Sequence, residues 1–187
     1  MKPKRAAIGI KTRTGRAVAV ALSERSEFVC REELTLCDDS TKQPYHDVME
    51  MPWNESLIAV KPAVATIEKI AARELRRVIA SVEARGYEVA TVAVVGRPDR
   101  QLERIGNPHI RAHAAEGVLF RAVIEKAAKA NHVESRIFVD PAKELSAAQK
   151  KMIADMRKIA GSPWRAEEKS AAMAAVAILT QRRSSAP

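Results

Sequence analysis

Aromatic residues make up only 4% of the 187 residues, and there are just two cysteines. A chain so poor in rings must build its interior from small aliphatic side chains. Its abundant alanines let helices and sheet approach closely. Cys30 and Cys37 lie seven apart with no third or fourth partner, which argues against a disulfide framework or a zinc knuckle and for a reducing, cytoplasmic compartment. Long apolar runs are missing too. Lys11, Arg13 and Arg16 interrupt the first apolar segments, so neither a signal peptide nor a membrane span is expected. The phosphate-binding patterns G-x-x-x-x-G-K-[ST] and G-x-G-x-x-G and the G-x-S-x-G elbow are all absent. Cys30 falls on an expected strand with no histidine near it in sequence, which leaves a thiol nucleophile without a base.

What is present is positive charge, arranged in blocks. The formal net charge is +9, with eight Lys or Arg against two acids over residues 1–31 and one against seven over 32–55. A basic surface attracts polyanions at long range, so nucleic acid is the first partner to consider; a soluble basic protein without such a partner has the same composition. A hydrophobic content of 47% suffices for one ordinary core. The expected organisation is a single domain over 1–181 followed by a disordered tail at 182–187.

Along the chain, residues 6–10 and 17–22 are short and apolar and flank Lys11-Thr12-Arg13-Thr14-Gly15-Arg16, the pattern of a hairpin. Residues 28–36 alternate as a third strand. Residues 37–61 hold Asp38, Asp39, Pro44, Pro52, Trp53 and Asn54 without a sustained period, which predicts a long acidic loop with room for one helical turn. From Pro62 apolar residues recur at three and four, and Gly86 stands where a helix C-terminus favours it. Residues 89–95 suit a strand covered on both faces. Asn107-Pro108 caps and opens a helix to about Ala130. A short strand at 136–139, a helix over 145–160 and an alanine-rich helix over 163–181 complete the pass. The order β-β-β-α-β-α-β-α, with an extra helix before the last, argues for a mixed five-stranded α/β sheet with helices on both faces.

Two local stretches carry a resemblance. Ile8-Gly9-Ile10-Lys11-Thr12-Arg13-Thr14-Gly15-Arg16-Ala17-Val18 resembles the opening I-G-I-D-P-G-x-x-x-T-G of RuvC-type Holliday-junction resolvases, and Glu168-Lys169-Ser170-Ala171-Ala172-Met173-Ala174 is similar to their last-helix D-x-x-D-A-L-A. The resemblance implies a ribonuclease-H-like fold, and the activity it implies needs carboxylates clustered around two divalent ions. This chain departs from that pattern. Lys11 stands for the first-strand aspartate, Gly96 and Arg97 replace the acid expected after the fourth strand, and Glu168 alone remains on the last helix, with Ala171 at its partner position.

One further constellation stands out. Arg97, Arg100, Arg104, His109, Arg111 and His113 surround a helix N-terminus, where unpaired N–H groups and guanidinium groups together can hold an anion. The same stretch also fits a solvated basic loop paired with Asp99 and Glu103. His109, His113 and Glu116 fall at i, i+4 and i+7 on one helical face, a spacing that metal-binding helices use. No second cluster of ligands declares itself in the sequence, so neither metal nor cofactor is expected. Trp53 and Trp164, each beside a proline, read as caps over a core edge.

Three readings follow. The first is a non-catalytic nucleic-acid binder, with Lys11, Arg13, Arg16, Arg97, Arg100, Arg104 and Arg111 holding phosphates independently of sequence. The second is a protein-interaction module that uses the acidic segment. The third is an enzyme with a site relocated to His109, His113 and Glu116. Whether a homo-oligomer forms stays open.

Overall fold

In the computed structural model, residues 4–97 and 101–184 are described. Lys4–Arg13 (β1) and Arg16–Ser23 (β2) pair antiparallel through a two-residue turn, Thr14-Gly15, in which Gly15 adopts φ +74°. Two-residue hairpin turns require a positive φ, which glycine takes without strain. The strands extend beyond the expected 6–10 and 17–22 because backbone pairing continues to Arg13 and Arg16 regardless of side-chain polarity. Phe28–Thr35 (β3) pairs with β2. Tyr87–Val95 (β4) runs parallel to β1, and Ser135–Phe138 (β5) runs parallel to β4. The sheet order is β3-β2-β1-β4-β5.

Six helices are described: Trp53–Ala59 (α1), Lys61–Glu83 (α2), Pro108–Ala130 (α3), Ala147–Asp155 (α4), Arg157–Ala160 (α5) and Ala166–Ser184 (α6). Helix α2 buries Ile67, Ala71, Leu75, Val78 and Val82, a stripe at three and four, and the chain leaves it through Gly86 at φ +83°. Asn107 caps α3 by accepting from Ile110 N at 3.0 Å.

Alternation along the central strands divides the core between two faces. Ala6, Ile8 and Ile10 pack with α2 and α3, whereas Ala7 joins the cluster around α6. On β4 the alternation is broken: Val89, Val92 and Val94 share one face, because the β1–β4 register shifts where Ala6 and Ala7 meet Val89 and Thr91. The extra residue is a bulge. Gly9 faces α6, where a Cβ would lie 1.8 Å from the Ala171 carbonyl oxygen. The missing side chain therefore sets how closely α6 approaches the sheet, and Ala171, Ala172, Ala174 and Ala175 keep the helix side of the contact equally thin.

The structure corrects four expectations. Residues 37–61 are not one long loop. Asp38 caps a turn of 3-10 helix at Asp39–Thr41, α1 follows, and α2 already begins at Lys61. Ser56 lies buried and donates toward the carbonyls of Val48, Met51 and Pro52 at 3.2–3.4 Å, which ties the segment together. The helix expected over 145–160 is two, opened by a capping box between Ser146 and Gln149 and interrupted at Met156. Helix α6 starts at Ala166, not at Pro163, because the Glu168 carboxylate reaches back to Arg165 N at 2.8 Å. It continues to Ser184, so residues 182–184 of the expected tail are helical; Arg182 is anchored by Ala90 O at 3.2 Å and Glu134 at 2.8 Å. Residues 185–187 lie outside the described part.

The contact at Gly9 gives the first prediction. Gly9→Ala places a methyl group inside the van der Waals radius of a helix backbone atom, which neither α6 nor β1 can yield without moving, so urea denaturation should show a loss of about 3 kcal/mol or more. An unchanged midpoint would mean that α6 does not lie as close to β1 as described.

Candidate functional site

Parallel β1 and β4 lie side by side, but the chain leaves β1 toward β2 and leaves β4 toward α3 and β5. Their carboxyl ends therefore open a crevice, the place where open α/β sheets bind ligands. The cleft there has a volume of about 350 Å³ and is walled by the end of β1, the end of β4 and the middle of α3. Lys11, Arg13, Arg97 and Arg121 line it, and among the described residues no acid does. A larger groove of about 970 Å³ at the opposite edge has mixed charge, with Arg5, Arg25, Arg136 and Arg182 set against Glu24 and Glu134.

Each cation in the cleft is held differently. Lys11 is half-buried; burial, and then Arg13 beside it, push its pKa down, while Glu167 pulls it up. Arg13 and Arg16, at the two ends of the hairpin turn, converge on Glu167: Arg13 Nε donates to Oε1 at 2.7 Å and Arg16 Nη1 to Oε2 at 2.9 Å. Burial alone would raise the Glu167 pKa, but these hydrogen bonds hold it below the usual glutamate range. Arg97 is exposed just past β4. Arg121 is buried on α3, ion-paired with Glu125, and its side chain crosses Gly96, where a Cβ would come within 2.7 Å of Cδ. Gly96 is the space that Arg121 occupies.

Next to this cleft, on α3, three imidazoles converge. His109 and His113 present Nε2 atoms 3.2 Å apart, and His46, from the acidic segment, stacks edge-on against both, with ring centroids 5.1 and 4.3 Å away. Glu116 is fully buried beneath them and accepts from His46 Nδ1 at 2.9 Å. Tyr45 stacks on Trp53 at 5.7 Å, and the Arg111 guanidinium lies 5.3 Å over the same indole. Burial and the Glu116 charge raise the Tyr45 pKa.

The residues singled out from the sequence thus divide. Lys11, Arg13 and Arg97 share the cleft, and Arg16 lies outside its lining, paired with Glu167. Arg104 lies in a short 3-10 turn outside the lining, and Arg111 is committed to Trp53 and to the Ile105 carbonyl at 3.3 Å. Arg100 lies outside the described residues. Glu168 does not point into the cleft but caps α6, and its neighbour Glu167 faces the basic turn instead. Trp164 is a buried cap, donating to Ile153 O at 2.9 Å and packed edge-on against Phe28. Sequence reasoning passed over Arg121, Glu167 and His46. A charged residue within the apolar stripe of α3 was the available sign of the first. Nothing around His46 in sequence marks it.

The sequence matches no family profile and no curated protein. Among solved structures, it is similar to Thermus thermophilus RuvC in complex with a Holliday junction substrate, at 14% identity over 96% of each chain with a TM-score of 0.51. A second RuvC structure from Thermus thermophilus aligns over the same shares at 14% identity and a TM-score of 0.49. The fold is ribonuclease-H-like. In this ribonuclease-H-like fold the cleft lies at the paired carboxyl ends of β1 and β4, with α3 closing one side. Among the described residues no helix is long and apolar enough to cross a membrane.

The Arg13–Glu167–Arg16 arrangement gives a pH-dependent prediction. Because the folded-state pKa of Glu167 lies below its unfolded value, its contribution to stability is present above the unfolded value and is lost as pH falls through the folded one. Both arginines are more than half exposed, so the contribution is about 1 kcal/mol or less. Chemical denaturation should find Glu167→Gln less stable by about that amount near neutrality. The gap from the unsubstituted protein should close under acid. A gap that persists unchanged to low pH would mean that the pair is not electrostatic.

Proposed function

We propose that this chain is a non-catalytic nucleic-acid-binding protein whose cleft at the carboxyl ends of β1 and β4 holds backbone phosphates without reading sequence. The charge of that cleft carries the reading: Lys11, Arg13, Arg97 and Arg121 line it, and among the described residues no acid does. Guanidinium and ammonium groups converging on one crevice suit phosphate oxygens, and phosphate contacts position a nucleic acid without specifying its bases. The solved structure of similar fold, Thermus thermophilus RuvC, was captured with a Holliday junction, which supports nucleic acid as the class of ligand.

The non-catalytic part of the proposal rests on the donor set. Two-metal phosphodiester cleavage needs several carboxylates facing one point. Lys11 stands at the end of β1, Gly96 and Arg97 follow β4, Glu168 is turned to the backbone of its own helix, and Ala171 packs on Gly9. These groups do not fit a pair of divalent cations. Glu167, beside the hairpin turn, is already neutralised by two arginines, and Glu125 is paired with Arg121. A cytoplasmic location belongs to the same proposal and is supported by the two free, buried cysteines, Cys30 and Cys37.

Fluorescence anisotropy with labelled duplex, branched DNA and RNA over a salt series, with magnesium present and the strands run on a gel, tests both parts. The expected result is binding that weakens steeply with salt and leaves the strands intact. Arg97→Ala should weaken binding alike for all sequences and reduce the slope of log K against log salt by about 0.9 on duplex DNA. Glu167→Gln, which releases Arg13 and Arg16, should tighten binding several-fold. Cleavage would overturn the non-catalytic reading, and an absence of binding at low salt would overturn nucleic acid as the ligand in favour of a protein partner.

A further inference from the structure

Three of the chain's four histidines meet at one point, although one comes from the acidic segment and two from a helix 63 or more residues later. One ring nitrogen from each of His46, His109 and His113 lies within 4.8 Å of the others. We infer that these imidazoles form a binding site for a divalent transition metal, zinc in the first place, with a coordination position left open toward solvent. The inference does not rest on nucleic-acid binding.

Three observations carry it. The first is spacing. Metal–nitrogen bonds of about 2.0–2.1 Å at tetrahedral angles hold neighbouring nitrogens roughly 3.3 Å apart, and the Nε2 atoms of His109 and His113 are 3.2 Å apart before any ion is placed between them. The second is orientation. Glu116 Oε1 accepts from both the backbone N and the Nδ1 of His46, at 3.4 and 2.9 Å, so Nδ1 carries the proton and the lone pair sits on Nε2. A carboxylate behind a histidine is the arrangement that orients metal-ligating imidazoles and raises their basicity. The third is that His46 Nε2 is buried and has no hydrogen-bond partner among the described residues. A buried acceptor nitrogen in that condition, on a ring packed against two further imidazoles, needs a cation or a donor.

The site is also fixed in advance. The Tyr45–Trp53 stack, with Arg111 on the indole, pins the segment that delivers His46, and one turn of α3 sets the spacing of the other two. His109 and His113 are exposed while His46 and Glu116 lie deeper, so three ligands close the inner side and the fourth position faces outward. Three imidazoles with no thiolate or carboxylate in the first sphere favour zinc or its neighbours over magnesium or calcium, which seek oxygen. His113 also lines the basic cleft, which puts the open position beside it.

The test uses full-length, tag-free protein stripped with a chelator and titrated with zinc in competition with a chromophoric chelator. One zinc per chain is expected. His109→Ala, at an exposed position, should weaken binding at least 100-fold with an unchanged circular dichroism spectrum, and Glu116→Gln should weaken it about 10- to 100-fold. Cobalt in place of zinc should give the intense visible absorption of a four-coordinate ion, lost in His113→Ala. No stoichiometric binding at micromolar zinc, or binding unaffected by both His109→Ala and His113→Ala, would overturn the inference.

Discussion

The close approach of α6 to β1 is the contact on which the arrangement depends. A helix can lie this near a central strand only if both surfaces are almost bare, and Gly9 against Ala171 is the barest pairing available. The strand then carries Lys11, two residues on from Gly9, to the edge of the same face. The helix carries Glu167, one turn back from Ala171, over the hairpin. A larger residue at position 9 would lift α6 and with it the acid that orders Arg13 and Arg16. The scarcity of aromatic side chains and the run of alanines follow from the same constraint, because a thin interface admits nothing bulky.

What the crevice does with that geometry depends on charge. A ribonuclease-H-like sheet brings the ends of two parallel strands together whatever residues stand there, so the fold provides a place and the side chains decide its use. Here the place is cationic. Arg121 makes this most evident, since a buried guanidinium lying across a glycine fills space that a side chain at position 96 would need. Glu167, beside the hairpin, orders two arginines, an electrostatic role that weakens with salt.

The acidic segment acquires a role it did not have as a bare run of sequence. Held to α3 where Arg111 lies over Trp53 and Glu116 meets His46, it delivers His46 to the histidines of the helix. A buried carboxylate such as Glu116 would be costly alone. Bonded to an imidazole and a backbone amide of the incoming segment, it becomes the anchor that fixes where that segment lies.

Much of this fold was legible in the residues. Periodicity marked α2, Asn107-Pro108 marked the start of α3, and the unbroken apolar run marked β4, because these signals depend on neighbours within a few positions. Boundaries fared worse where a distant partner sets them: Arg182 holds the end of α6 through Ala90 and Glu134, and backbone pairing carries β1 past its apolar residues. The same division runs through the candidate sites. Sequence alone determined the basic ends of the hairpin, the lack of an acid at Lys11 and the pair His109 and His113, since each is a matter of residue type and local spacing. Only the tertiary structure decided that Glu167 and not Glu168 meets the arginines, that Arg111 belongs to Trp53, and that His46 completes the cluster. Those pairings join residues dozens of positions apart, and they are set by how a helix rotates on a sheet and where a segment lands, which no local pattern records.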